Sequence, residues 1–164
     1  MIATETELLQ FLNDNHFNYQ RLEHLPVYTC AEAERLRPIS SAVSTKNLFL
    51  CDKKARNFYL AVTSCEKKMD FKQLADLLGV SKLRFGSEEN LERLLGVSRG
   101  AVTVLGLVND ITHQIELWID VQVWSGENFL CHPLVNTATL VLSKAALVKF
   151  FELTGHKVHL FEPG

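Results

Sequence analysis

Two mostly apolar segments of strand length, 46–50 and 57–63, are separated by the polar stretch Asp52-Lys53-Lys54-Ala55-Arg56. Runs of strand length joined by a charged turn read as a β-hairpin. A hairpin commits the chain to antiparallel or mixed pairing, and the resulting sheet needs helices to cover its apolar faces. The segments that supply this cover mark their own ends. Thr4 with Glu7, and Thr29 with Glu32, have the spacing of a capping box, so a helix is expected after each. The first should end near Asn13 to Asn15, and Pro38 should stop the second. Asp70 and Ser87 precede two further stripes, Phe71, Leu74, Ala75 and Leu78, then Leu91, Leu94 and Leu95, which stop at Gly79 and Gly96. Ser143 opens a last helix carrying Leu147, Phe150 and Phe151, and Gly155 ends it.

More strands are expected at 17–22, 137–142 and 157–161. The nearly unbroken apolar run 101–108 suits a central strand buried on both faces. Ile115, Leu117 and Ile119 alternate with polar residues, which predicts a half-exposed strand paired with that run. The chain therefore reads as a single α/β domain over 1–164, with a mixed, largely antiparallel central sheet covered by helices. Its 47% hydrophobic content is enough for one sizeable core.

Composition narrows the function classes. A net charge of −2 excludes a global polycation, so any nucleic-acid contact must use a local patch, and non-specific duplex DNA binding is not expected. Cys30, Cys51, Cys65 and Cys131 form no Cys-x-x-Cys pair, which argues against a zinc ribbon or a dithiol redox site. Four reduced, mostly buried thiols in a cytoplasmic protein are expected instead. No signal-length or membrane-length apolar segment is apparent. A phosphate-binding Gly-x-x-x-x-Gly-Lys loop, a Gly-x-Ser-x-Gly elbow, a His-Glu-x-x-His pair and a carboxylate metal cage are all missing. The site is expected to work without a metal, a cofactor or an obvious nucleophile.

Two polar clusters stand at strand starts. In Ser44-Thr45-Lys46-Asn47, the ammonium of Lys46 sits at the mouth of an apolar strand. A cation in a partly buried cleft can hold a phosphate, a carboxylate or a developing alkoxide, because low dielectric strengthens it. A lysine snorkelling from a strand end accounts for the same pattern. Thr45 and Asn47 are hydrogen-bonding residues on the opposite face. In Cys131-His132-Pro133-Leu134-Val135-Asn136, His132 can bind a substrate group or relay a proton, and Asn136 can orient a ligand; both also suit an ordinary turn. Gly100 permits close approach of either a ligand or a packed helix. Lys53, Lys54 and Arg56, with Lys67, Lys68 and Lys72, are solvated turns that could steer RNA phosphates.

These blocks resemble the YbaK/prolyl-tRNA synthetase-associated editing-domain family. The resemblance runs through Ser44-Thr45-Lys46-Asn47-Leu48-Phe49-Leu50, through Gly100-Ala101-Val102-Thr103 to Val108-Asn109-Asp110, and through His132-Pro133-Leu134-Val135-Asn136-Thr137-Ala138-Thr139. Smaller blocks, Glu23-His24-Leu25-Pro26-Val27-Tyr28-Thr29, Arg84-Phe85-Gly86-Ser87 and Thr154-Gly155-His156, follow in family order. The free-standing branch that deacylates Ala-tRNA(Pro) is the most similar. The resemblance implies hydrolysis of a mischarged aminoacyl-tRNA ester at the RNA 3′ end. Deacylation of another small aminoacyl-tRNA (Cys, Ser or nonprotein), or non-catalytic binding of tRNA or a synthetase, are the alternatives. It implies Lys46 as the catalytic residue, with Thr45, Asn47, Gly100, His132 and Asn136 around the substrate. Aminoacyl-tRNA is the implied partner, with prolyl-tRNA synthetase a candidate one. Three positions depart from the family pattern. Val104 replaces the Pro that ends Gly-x-x-x-Pro, Arg99 replaces the Pro before that Gly, and Ser44 replaces a common His.

Overall fold

The computed structural model describes residues 1–35 and 42–163. The expected hairpin is present: β3 (Thr45–Asp52) pairs antiparallel with β4 (Phe58–Ser64). Before it come α1 (Glu5–Asp14), β1 (Gln20–Glu23), α2 (Cys30–Arg35) and β2 (Ala42–Val43). After it come α3 (Phe71–Leu78), β5 (Leu83–Phe85), α4 (Glu88–Leu95), β6 (Ile115–Asp120) and α5 (Val121–Trp124). The chain closes with β7 (Asn128–Cys131), β8 (Ala138–Ser143), α6 (Lys144–Thr154) and β9 (Val158–Phe161). The strands fall into two mixed sheets, ordered β1-β8-β7-β2 and β5-β3-β4-β6-β9.

The helix ends follow their sequence signals. Thr4, Asp70, Ser87 and Ser143 each accept a main-chain N–H with the side chain, which satisfies donors the first turn leaves open. Thr29 does the same for Glu32 N, and its hydroxyl donates in turn to the Glu32 carboxylate. Gly79, Gly96 and Gly155 end their helices with φ of 74°, 69° and 81°, a region that costs other residues a Cβ clash. The expected stop at Pro38 lies outside the described residues.

The largest correction concerns 101–108. That run is not a strand; it forms two 3₁₀ turns, Arg99–Ala101 and Val104–Asn109. A short apolar run has the same composition whether it is a buried strand or a buried turn, so periodicity could not separate the two. Its side groups decide. Thr103 Oγ1 accepts from Leu105 N at 3.2 Å and so caps the second turn. Gly106 lies against α4, where a Cβ would come within 3.0 Å of the Leu95 carbonyl. Asn109 donates to the Ile2 and Leu95 carbonyls at 2.7 and 2.9 Å and accepts from Ile2 N at 2.8 Å. The segment is thus held on α4 and the N-terminus. With that run removed from the sheet, β6 instead lies between β4 and β9, parallel to both.

The hairpin is buried on both faces. Phe49, Cys51, Phe58, Leu60 and Val62 enter the main core with Leu8, Leu95, Leu117, Leu140 and Phe150. Leu50, Tyr59 and Ala61 enter a smaller core under α3, with Leu74, Leu83 and Phe161. This alternation fixes the direction of every side chain at the start of β3.

The cysteines also differ from expectation. Cys30 and Cys65 are bonded, with Cα atoms 5.6 Å apart, within the range a disulfide needs. The 35-residue separation hid the pair, since proximity made by folding leaves no spacing signal. Cys51 and Cys131 are free and buried, as expected.

Candidate active site

Chain topology gathers the expected residues at one end of the two sheets. β2 lies in the first sheet, paired with β7 through Val43 and Phe129. Ser44 carries the chain across to β3 in the second sheet. Lys46 therefore follows the crossing by two residues, and His132 follows β7 directly.

Alternation then divides the β3 residues. Thr45 and Asn47 face inward and line a cavity of ≈ 20 Å³ together with Val62, Thr103, Val104, Leu130 and Cys131. Lys46 faces the other way and stands opposite Thr63 in the ladder, half-buried. The Thr63 hydroxyl donates to Asp120 Oδ2 at 3.0 Å, and Lys67 Nζ donates to the same oxygen at 2.9 Å. Asp120 is fully buried and accepts a third bond on Oδ1 from Gln122 N. Lys46 thus borders a polar network at the strand's open end and does not line the cavity.

Gly100 and Asn136 are brought together. A Cβ on Gly100 would lie 3.2 Å from Asn136 Nδ2 and 3.4 Å from Tyr28 Cε1. The glycine permits this close approach without crowding the Asn136 amide; its φ is not in the left-handed region. Asn136 is tied to the segment before α2: its side chain donates to the Val27 carbonyl, and Val27 N donates to the Asn136 carbonyl, each at 3.3 Å. Tyr28 projects from that segment and is 74% exposed, an aromatic face left open to solvent beside Gly100.

His132 occupies the same loop as Asn136. Burial pushes its imidazole below the ordinary histidine value; the Ala138 carbonyl opposes this and nearby His24 adds to it. The ring is therefore neutral at pH 7. Its Nδ1–H donates to the Ala138 carbonyl at 3.4 Å, since a carbonyl can only accept, and among the described residues Nε2 meets no hydrogen-bond partner, which leaves its lone pair open. That nitrogen can accept from an ammonium or a ribose hydroxyl. His24 is anchored at both ring nitrogens: Nδ1–H donates to the Leu25 carbonyl, and Nε2 shares a hydrogen bond with the Thr139 hydroxyl, both at 2.8 Å.

Cys131 is no nucleophile, because burial pushes its thiol up to about 12 and keeps it protonated. Ser44 Oγ is buried with no hydrogen-bond partner among the described residues. Such groups are rare and cluster where a ligand or water completes them. Among the described residues no group of three His, Cys, Asp or Glu side chains could hold a metal ion.

Sequence reasoning missed three contributors. Thr103 both caps its turn and lines the cavity. Its role was hidden because 101–108 was read as a strand. His24 and Tyr28 lay in a block noted only for likeness, although an exposed aromatic before a capping box was a usable signal.

Comparison with known proteins places these residues in a family. The aminoacyl-tRNA editing domain model matches residues 24–150, which contain every candidate residue above. The chain is 37% identical over 151 residues to the prolyl-tRNA editing protein ProX of Acetoanaerobium sticklandii, covering 92% of each chain. It is 34% identical to the prolyl-tRNA synthetase associated domain-containing protein 1 of Danio rerio, covering 92% of this chain and 82% of the relative. A solved structure of a candidate trans-editing enzyme for prolyl tRNA synthetase superposes with a TM-score of 0.72 over the full length of both chains, at 18% identity, a likeness of fold alone. With the family model covering most of its length and a relative matched almost end to end, the chain belongs to the aminoacyl-tRNA editing domain family.

Proposed function

We propose that this protein hydrolyses the ester of a mischarged aminoacyl-tRNA, with alanine on tRNA(Pro) as its principal substrate. The observation that carries the choice of amino acid is the cavity beside Asn47. At ≈ 20 Å³ it is a small cavity, little more than the minimum that admits a water-sized group. Its small size and mostly apolar lining support a short acyl side chain such as that of alanine over the bulkier pyrrolidine ring of a correctly charged proline. A steric wall of this kind rejects a larger side chain more sharply than a hydrophobic pocket can prefer a smaller one. Val104, which replaces the Pro of the family pattern, forms part of that wall.

The ester is already activated, so the protein must position it, exclude the wrong acyl group and stabilise charge at the carbonyl. Gly100 and Asn136 offer a close-fitting rim for the terminal ribose. The free Nε2 of His132 can accept from the α-ammonium or a ribose hydroxyl. Lys46, on the far face from the cavity, is suited to an anion and not to proton abstraction inside the acyl pocket. We assign it to the phosphate or developing oxyanion at the strand's open end. Contact with prolyl-tRNA synthetase is a further part of this reading, supported by the relatives named for association with it.

A panel of tRNAs charged with Ala, Ser, Cys and Pro tests the reading. Fastest release of alanine, with proline retained, is expected. Val104→Ala should enlarge the cavity and raise the rate on larger acyl groups relative to alanine. Equal rates on Ala- and Pro-tRNA by the wild type would overturn the size argument.

A further inference from the structure

Beside the cavity, and sharing Asn47 with it, runs an open groove of ≈ 500 Å³. Its base is the outer edge of β3. β5 pairs with β3 only at residues 50–52, and Gly86 N then donates to the Phe49 carbonyl at 2.9 Å as the chain leaves for α4. In an antiparallel strand, main-chain groups of residues two apart point to the same side. The Phe49 carbonyl points at Gly86, so the N–H and C=O of Asn47 point the same way, beyond the end of β5. Among the described residues no main-chain group meets them. The walls are apolar, from Phe49, Leu91 and Val102, and the exposed Arg99 stands at the rim, adjacent to Gly100. Gly86 belongs to this construction: a Cβ there would lie 2.2 Å from the Phe49 ring, so the ring can lie against the turn only if the residue is glycine.

We propose that this groove holds the nucleotide that precedes the terminal adenosine of the RNA 3′ end. The linking phosphate lies on the Arg99 guanidinium, and the base edge meets the open main-chain groups of Asn47. The inference rests on the function proposed above and adds the second nucleotide to it. The chemistry matches part by part. A base has two apolar faces and one hydrogen-bonding edge, which is what apolar walls and an unpaired strand edge accept. The groove has nucleotide size. Arg99 supplies local positive charge on a chain whose net charge is −2. Continuity fixes the order. The acyl group enters the cavity, the terminal ribose meets the rim at Gly100, and the strand leaves over Arg99, one residue away.

The test is a binding measurement, so it does not depend on turnover. The probes are an RNA hairpin ending in ACCA with alanine attached through a stable amide, and the corresponding 3′-alanylamido-adenosine. Arg99→Ala should weaken the hairpin about tenfold and reduce the slope of log K against log salt by about one. Its affinity for the adenosine probe should be unchanged, and Arg99→Lys should restore part of the loss. Val102→Trp, which fills the groove, should act on the hairpin alone. Equal loss on both probes, or no loss on the hairpin, overturns the assignment. Failure of the underlying function would look different: tight, Arg99-dependent hairpin binding with no hydrolysis of the ester form.

Discussion

Removing the carboxylate of Asp110 should destabilise the domain more than almost any other single change. Asp110 is 2% exposed and ends the second 3₁₀ turn, whose other end carries Thr103 and Val104 at the cavity. Its Oδ2 accepts from His156 Nε2 and from Ile115 N, each at 2.9 Å, and its Oδ1 accepts from Gln114 N at 2.9 Å. Asp110→Ala leaves three donors without an acceptor, one of them on the buried His156 side chain. A buried donor left without its acceptor costs about 1–3 kcal/mol, so losing three of them, with partial rearrangement, should cost about 3–5 kcal/mol. At roughly 2–4 °C per kcal/mol for a chain of this size, Tm should fall by about 6–20 °C. Asp110→Asn keeps a carbonyl for one main-chain donor and should lose less, about 1–3 kcal/mol. Urea unfolding at pH 7 measures both. The sign with pH follows from the carboxyl itself. Burial alone would raise it, but the His156 hydrogen bond and the Ile115 and Gln114 amides outweigh burial and hold it below the ordinary carboxylate range. A depressed carboxyl contributes stability above its unfolded value, and that contribution is lost as pH falls through the folded value. The gap between wild type and Asp110→Ala should therefore be constant near neutrality and shrink in acid. A variant within about 1 kcal/mol of wild type at pH 7, or a gap that persists unchanged into strong acid, refutes the reasoning.

Other consequences follow from the site and the cysteines. Because His132 is held neutral below the ordinary histidine value, the acid limb of the kcat/KM profile for Ala-tRNA should lie below about pH 6.5 and disappear in His132→Gln; a limb above that value contradicts the assigned state. The Cys30–Cys65 bond closes a 35-residue separation, so reduction should lower stability by about 4 kcal/mol, read as a shift in denaturation midpoint that Cys30→Ser reproduces without reductant. Cys131, with its thiol raised to about 12, should resist alkylation at pH 8 until the protein unfolds, as peptide mapping would show.

How legible the fold was depended on whether the signals were local. Thr4, Asp70, Ser87 and Ser143 marked helix starts because each cap is a contact within three residues. Gly79, Gly96 and Gly155 marked ends for the same reason. What the chain could not announce was non-local. The 101–108 run becomes 3₁₀ because Gly106 meets Leu95 and Asn109 meets Ile2, contacts that no window of sequence contains. β7 passed unread, since Asn128–Cys131 is short and gains its identity from β8 and β2. The site was legible as a set of residues but not as a geometry. Gly100 and Asn136 do meet. Alternation along β3, readable from period two, separates Lys46 from Thr45 and Asn47 and redirects its role toward an anion. The cavity walls, Thr103 and Val104, waited on the correct structure of their segment.

If the ammonium of Lys46 at the start of β3 supports hydrolysis of a small aminoacyl ester on RNA, removing it must stop turnover and leave the fold intact. Release of labelled alanine from Ala-tRNA(Pro) by wild type and Lys46→Ala, run together with thermal unfolding of both, measures this. Rapid release by the wild type, none above background by the variant, and matching unfolding curves are expected. Turnover by Lys46→Ala equal to wild type, or no release by either protein, would contradict it.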